Sequence, residues 1–413
     1  MGRRVTGGPV VMTLVALALV LTACSSSPSA TGQRTSGTAS TSGTAAPSTT
    51  TSSPAAAAAG VELPASVIPW GQVGPGWQVA LWGPHAAISP GSQSATWDQQ
   101  PTTLFLVDPA GGRYKVTTLP APSDYVLSDW SGDGRRVLLL EPGGDGGSTF
   151  DEVDLPTGRV LHRVTQSEEA SARFTRPTGQ AFLAWTTGVD ESSTTLVRTS
   201  WTGAVQLSYP TTYPGLGSLT TFFLSMLDGT QLVVGTSAGM ALIDNNGTFV
   251  RAIGPAGRAC TPTRWWDPAD FVASCQPPTT GASAESSLWL VPVSGGPATQ
   301  LTNPVAPDYG DSNGWQVGSN VYVQASGACG TEFLALRDPD GTTSKVNVPG
   351  ATDSVEVIGA HQSQLSLLAQ MACGSGESLF WFDPATETET PLLGPQVNGG
   401  GVLAALPYPG LQP

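Results

Sequence analysis

The sequence predicts an all-β chain: seven four-stranded units in series, preceded by an export signal and an unstructured tether. Three observations carry this. Gly (50) and Pro (35) are frequent and charged residues make up only 12%, which suits many short strands joined by many turns. A strand–turn–strand pattern recurs about every 45 residues from position 104 onward. The first sixty residues differ in composition from everything after them.

The chain starts "MGRRVTGGPVVMTLVALALVLTACSSS". Arg3 and Arg4 precede an apolar stretch at 10–21, too short to cross a bilayer core, which needs about 20 residues. A basic start, a short apolar core and small residues predict a secretory signal over 1–23. Its end, "LTAC" at 21–24, resembles the lipobox of bacterial lipoproteins. The resemblance implies cleavage before Cys24, lipidation (palmitate) of that cysteine, and a membrane-anchored protein on the extracytoplasmic face. Residues 24–60 are almost all Ser, Thr, Ala, Pro and Gly. They cannot bury enough apolar surface to offset their chain entropy, so a disordered tether is expected, with a mean reach of about 30–35 Å. The formal net charge of −14 argues against nucleic acid as a partner and against electrostatic binding to anionic lipid.

The folded part is expected over 61–413. Seven segments read as paired strands around a turn: 104–116, 150–164, 195–207, 240–253, 288–301, 333–346 and 379–392. Their turns centre on Asp108, Asp154, Thr199, Asp244, Pro292, Asp338 and Asp383, spaced 45 to 48 residues apart. A second hairpin precedes each of the last six, the clearest being "DWSGDGRRVLLLE" at 129–141. Two hairpins per repeat make a four-stranded meander. One such sheet cannot bury both faces, whereas packing several around an axis does, so the pattern predicts a β-propeller of seven blades. "SGDGRRVLLL" at 131–140 also resembles the turn motif of TolB-like, WD-repeat-related propellers, with Gly132 where that family has Pro. The resemblance implies the same fold.

Closure of such a ring needs a strand from one terminus to join the other. Residues 401–406 stand in the register of an innermost strand with no partner after them, with 66–70 as the rival. Export to an oxidising compartment makes disulfides the expectation for the four remaining cysteines. Cys260 and Cys275 flank Asp267-Pro268 symmetrically, so a hairpin would bring them face to face. Cys329 and Cys373 lie 44 residues apart, one repeat, so a bond there would staple neighbouring blades.

Candidate chemistry is sparse. "GTSAG" at 235–239 matches a nucleophile elbow around Ser237, but it lies between two strands of one repeat and reads as a hairpin turn. The three histidines, His85, His162 and His361, stand at no metal-ligand spacing. "DNNG" (244–247), "DPDG" (338–341) and "DSNG" (311–314) read as turns rather than calcium loops. Two long loops are the expected binding positions: 84–101, with His85, Trp97 and Asp98, and 303–314, with Asp308, Tyr309 and Asp311. No catalytic residue, metal or cofactor is assigned. The expected function is a monomeric binding or scaffold module for an envelope protein, glycan or cell-wall ligand. The alternative is a propeller enzyme of lyase, lactonase or glycosidase type, with its site in the central channel.

Overall fold

The structure, a computed structural model, describes residues 62–84, 101–121, 125–143, 147–168, 170–187, 194–277, 286–304, 310–327, 331–351, 354–371, 375–394 and 400–410. Cys24, the tether, His85, Trp97, Asp98, Asp308, Tyr309, Cys329 and Cys373 lie outside the described residues.

The described strands form a β-propeller: successive antiparallel meanders in which each strand pairs with the next in sequence. There are seven meanders among the described residues. Five stand as separate sheets, and the fourth and fifth are joined in one nine-stranded sheet by the single residue pair Thr236–Cys260. Their innermost strands are, in order, Gly400–Pro407, Val126–Trp130, Ser171–Phe174, Gly217–Ser225, Ala259–Trp265, Gly310–Val317 and Ser354–His361.

The first meander closes the ring. Gly400–Pro407 pairs antiparallel with Gln78–Pro84, so the last strand of the chain completes the first sheet. Residues 66–70, the rival for that place, form a short 3-10 turn over Ala65–Val67 and its exit. The sequence did not announce a fifth strand in this sheet. Glu62–Pro64 runs parallel to Arg113–Lys115 on the outer side, covering part of an otherwise open edge.

Alternating apolar side chains pack between sheets. The buried clusters each bridge two adjacent meanders: Phe150 and Phe182, rings 5.2 Å apart, join the second to the third, and Leu367 and Phe382 join the seventh to the sixth. Side chain–backbone bonds stitch the same seams. Arg198 donates to the Asn245 carbonyl (2.9 Å) and Trp265 Nε1 to the Ser225 carbonyl (2.9 Å). Gln324 is fully committed across its seam, donating to the Val355 carbonyl (3.0 Å) and accepting from the Val357 N–H (2.6 Å). Trp381 Nε1 donates to the Pro109 carbonyl (3.0 Å), tying the seventh meander to the first.

The 131–140 hairpin is fixed by its own side chains. Ser131 and Asp133 bracket the turn: Asp133 accepts from the Arg135 N–H (3.0 Å) and Ser131 Oγ from the Arg136 N–H (2.9 Å). A Cβ on residue 132 would sit 2.4 Å from the Pro177 carbonyl oxygen of the next meander, so glycine is required at this position.

Cys260 and Cys275 are cross-strand partners in the fifth meander, with Cα atoms 4.1 Å apart and their sulfurs bonded. Both are buried in the cluster between the fourth and fifth meanders.

Candidate functional site

All seven innermost strands contribute to one central cavity of about 570 Å³. Its wall carries Asp129, Arg173, Arg176, Arg264, Asn313 and Glu356, with Trp265, Trp315 and Tyr408 beside them. A second cavity of about 470 Å³ shares Arg173 and Thr263 with it.

A recurring irregularity shapes this wall. The ladder between the two innermost strands shifts register at Leu127/Asp129, Pro262/Arg264, Asp311/Asn313 and Val357/Gly359. The same shift occurs in the first meander, opposite Leu81/Trp82. An extra residue on one strand bends it and re-aims the side chains that follow. Asp129, Arg264 and Asn313 come directly after such a step.

The charged groups of the wall fall into two kinds. Asp129 and Arg176 neutralise each other: Oδ1 meets Nη2 at 2.9 Å, and Arg176 Nη1 donates to the Trp130 carbonyl (2.8 Å). Asp129 Oδ2 also accepts from the Phe174 N–H (2.9 Å), so this pair fastens the second meander to the third. Arg264 and Arg173 are different. Arg264 Nη1 donates to the Gly314 carbonyl (2.8 Å) while its guanidinium lies 5.5 Å over the Trp315 ring. Arg173 Nη1 donates to the Phe223 carbonyl (3.1 Å), with the Trp185 and Phe223 rings 5.9 and 5.8 Å away. Neither forms an ion pair among the described residues. Each keeps partial exposure and borders the cavity, with protein crowding the guanidinium. That burial pulls Arg264 down to about 10 and lowers Arg173 as well. Elsewhere on the wall, burial, reinforced by the nearby Glu332 carboxylate, pushes Glu356 up to about 7.

Of the loop residues expected to bind, Asp311 is the one described. The loop expected over 303–314 gives way at residue 310 to the strand Gly310–Val317. Asp311 is therefore a buried strand residue, whose carbonyl accepts from the Ser274 and Ser286 hydroxyls (3.2 Å each). Ser237 lies in the two-residue turn between Gln231–Thr236 and Gly239–Asp244, its hydroxyl accepting from the Ser218 N–H (3.1 Å). A strand-to-helix elbow is absent there. His162 stacks on Trp201 (5.6 Å) and meets buried Glu152 (2.5 Å), which Arg136 also contacts (2.7 Å). His361 packs near Trp381, and burial lowers its pKa. Among the described residues, no three His, Cys, Asp or Glu side chains converge as metal ligands.

Sequence reasoning missed Arg173, Arg176, Arg264 and Glu356. Their signal was available: each is a charge within or just beyond an innermost strand, where the repeat is otherwise apolar or small. Stacking the repeats on that strand would have drawn them into one column.

No family model and no curated protein matches the chain. Solved structures are similar in fold. One is the β-propeller domain of the trilobed protease from Pyrococcus furiosus (12% identity, TM-score 0.46, covering 71% of this chain and 88% of that one). Others are a prolyl endopeptidase (14%, TM-score 0.48, 71% and 46%) and the acylaminoacyl peptidase of Pyrococcus horikoshii (13%, TM-score 0.45, 69% and 47%). The chain spans about half the length of these two peptidases.

Proposed function

We propose that this chain is a TolB-like, seven-bladed propeller lipoprotein, held at the extracytoplasmic face of the cell membrane through Cys24, that binds a ligand in its central channel. The carrying observation is the cavity itself: a space of small-ligand size, walled by all seven innermost strands and furnished with fixed arginine, aromatic and amide side chains. A rigid ring that presents preorganised polar groups into one concave site suits recognition, because little ordering is left to do on binding. The partner is an envelope component, either a glycan or a segment of an envelope protein, met by a monomeric propeller on its tether.

One observation favours the enzymatic alternative. Glu356, held near neutrality in a cavity, has the property wanted of a general acid or base. The two readings separate in one experiment. Purified full chain is incubated with a bacterial envelope extract, filtered, and the retained compounds are identified by mass spectrometry. The channel-filling variant Thr263→Trp is treated in parallel. Binding predicts a compound retained unchanged by the wild type and lost in the variant. Conversion of that compound over time would establish the enzyme instead. Equal retention by both proteins would remove the channel as the site.

A further inference from the structure

Three arginines of the ring meet acids: Arg136 meets Glu152 (2.7 Å), Arg163 meets Asp151 (2.6 Å) and Arg176 meets Asp129 (2.9 Å). Others bond a carbonyl across a seam, as Arg198 does to Asn245 (2.9 Å). Arg264 and Arg173 are of this second kind, and what sets them apart is that both border the central cavity. A cation removed from bulk water needs a counter-charge or a full set of acceptors. Each of these guanidinium groups has one carbonyl and aromatic faces, and its remaining N–H donors have no partner among the described residues. These donors are not sealed inside the protein: neither Arg264 nor Arg173 contributes a buried unpaired nitrogen, and both side chains border the cavity.

The anchoring is one-sided in both cases. The Gly314 carbonyl and the Trp315 ring fix the Arg264 fork, and the Phe223 carbonyl with two rings fixes Arg173. A planar fork anchored on one side and bordering a cavity matches the paired oxygens of a carboxylate or phosphate. The local acids do not fill this role. Asp129 is spent on Arg176 and the Phe174 N–H. No ion pair joins Glu356 to either arginine among the described residues.

Resting on the channel as the binding site, we propose that it recognises an oxyanion group of its ligand, a carboxylate or a phosphate, with Arg264 as the principal contact and Arg173 as the second. Selectivity follows from the contrast in sign. The chain as a whole carries a net charge of −14, so anions are not gathered on the exterior and are held only where the two forks present short-range, directional donors.

The test is calorimetric titration of the full chain in neutral detergent with sodium phosphate and, separately, disodium succinate, in low-chloride buffer. Binding of either probe is expected, and the stronger of the two identifies the oxyanion. Arg264→Gln should weaken it roughly ten- to a hundredfold, the loss of charge-assisted hydrogen bonds, and Arg173→Gln should weaken it less. Should a variant fail to fold, the wild type still decides: the bound probe should slow phenylglyoxal modification of Arg264 while leaving exposed Arg159 unaffected. Unchanged affinity in both variants, or no protection of Arg264, overturns the assignment. If neither anion binds but Thr263→Trp still abolishes retention of a neutral envelope compound, the oxyanion inference fails and the channel reading stands. If Thr263→Trp changes nothing either, both fail.

Discussion

In the hairpin turns, carboxylates are satisfied within a few residues of themselves. Asp108 accepts from the Ala110 and Gly112 N–H groups (2.8 and 2.9 Å), Asp244 from Asn246 and Thr248 (2.9 and 2.8 Å), and Asp267 from Ala269 and Asp270 (2.7 and 2.8 Å). The Thr248 and Asn246 N–H bonds to Asp244 favour its ionised form and hold it below the usual carboxylate range. In the channel two arginines have no acid partner among the described residues, and burial opposes the charge of Glu356. Turn carboxylates are structural, each closing a hairpin. These two channel arginines each bond one carbonyl of the next meander and also border the cavity. The comparison also shows why net charge misleads about a site. Several of the acids are spent on turn geometry, while the central cavity carries three arginines.

Two substitutions sharpen this contrast. The larger effect is expected at Glu356. Its pKa is raised from 4.5 in the unfolded chain to about 7 in the fold. The folded state therefore binds more protons between these values, and its stability falls as pH rises through that window. Glu356→Gln should leave stability nearly unchanged at pH 4 and increase it at pH 8 by about 1–3 kcal/mol. Denaturant unfolding at the two pH values checks this, and an equal effect at both would show that the carboxylate is not under burial stress. The smaller effect is expected at a turn. Asp133→Ala removes the acceptor for the Arg135 N–H and a contact to Arg136 (3.2 Å), and should destabilise by about 1 kcal/mol with no change in channel binding. A loss of ligand retention in that variant would erase the division between turn and channel.

The fold was legible because its determinants are local and repeated. Asp-Gly and Asn-Gly turns at Gly134 and Gly247, both with positive φ, punctuate apolar runs at a constant period. The strand at 401–406 could be placed from register alone, and the Cys260–Cys275 pair from its symmetry about a turn. The site was less legible for a physical reason. Functional residues were sought on long loops, where variation is tolerated, but the cavity is built from the innermost strands. There a single arginine among apolar neighbours looks like a surface residue of an edge strand. Only the ring, which turns its innermost strands toward one axis, brings Arg173 and Arg264 to one cavity. The outer strand Glu62–Pro64 escaped notice because three residues carry no periodicity.

The most direct test of the central claim is to see where an oxyanion goes. Crystals of the full chain soaked in selenate and measured at the selenium edge should show an anomalous peak in the channel, within hydrogen-bond reach of the Arg264 guanidinium. The peak should be absent from Arg264→Gln crystals prepared in the same way. Selenate found only on outer-surface residues, with an empty channel in the wild type, would contradict the account.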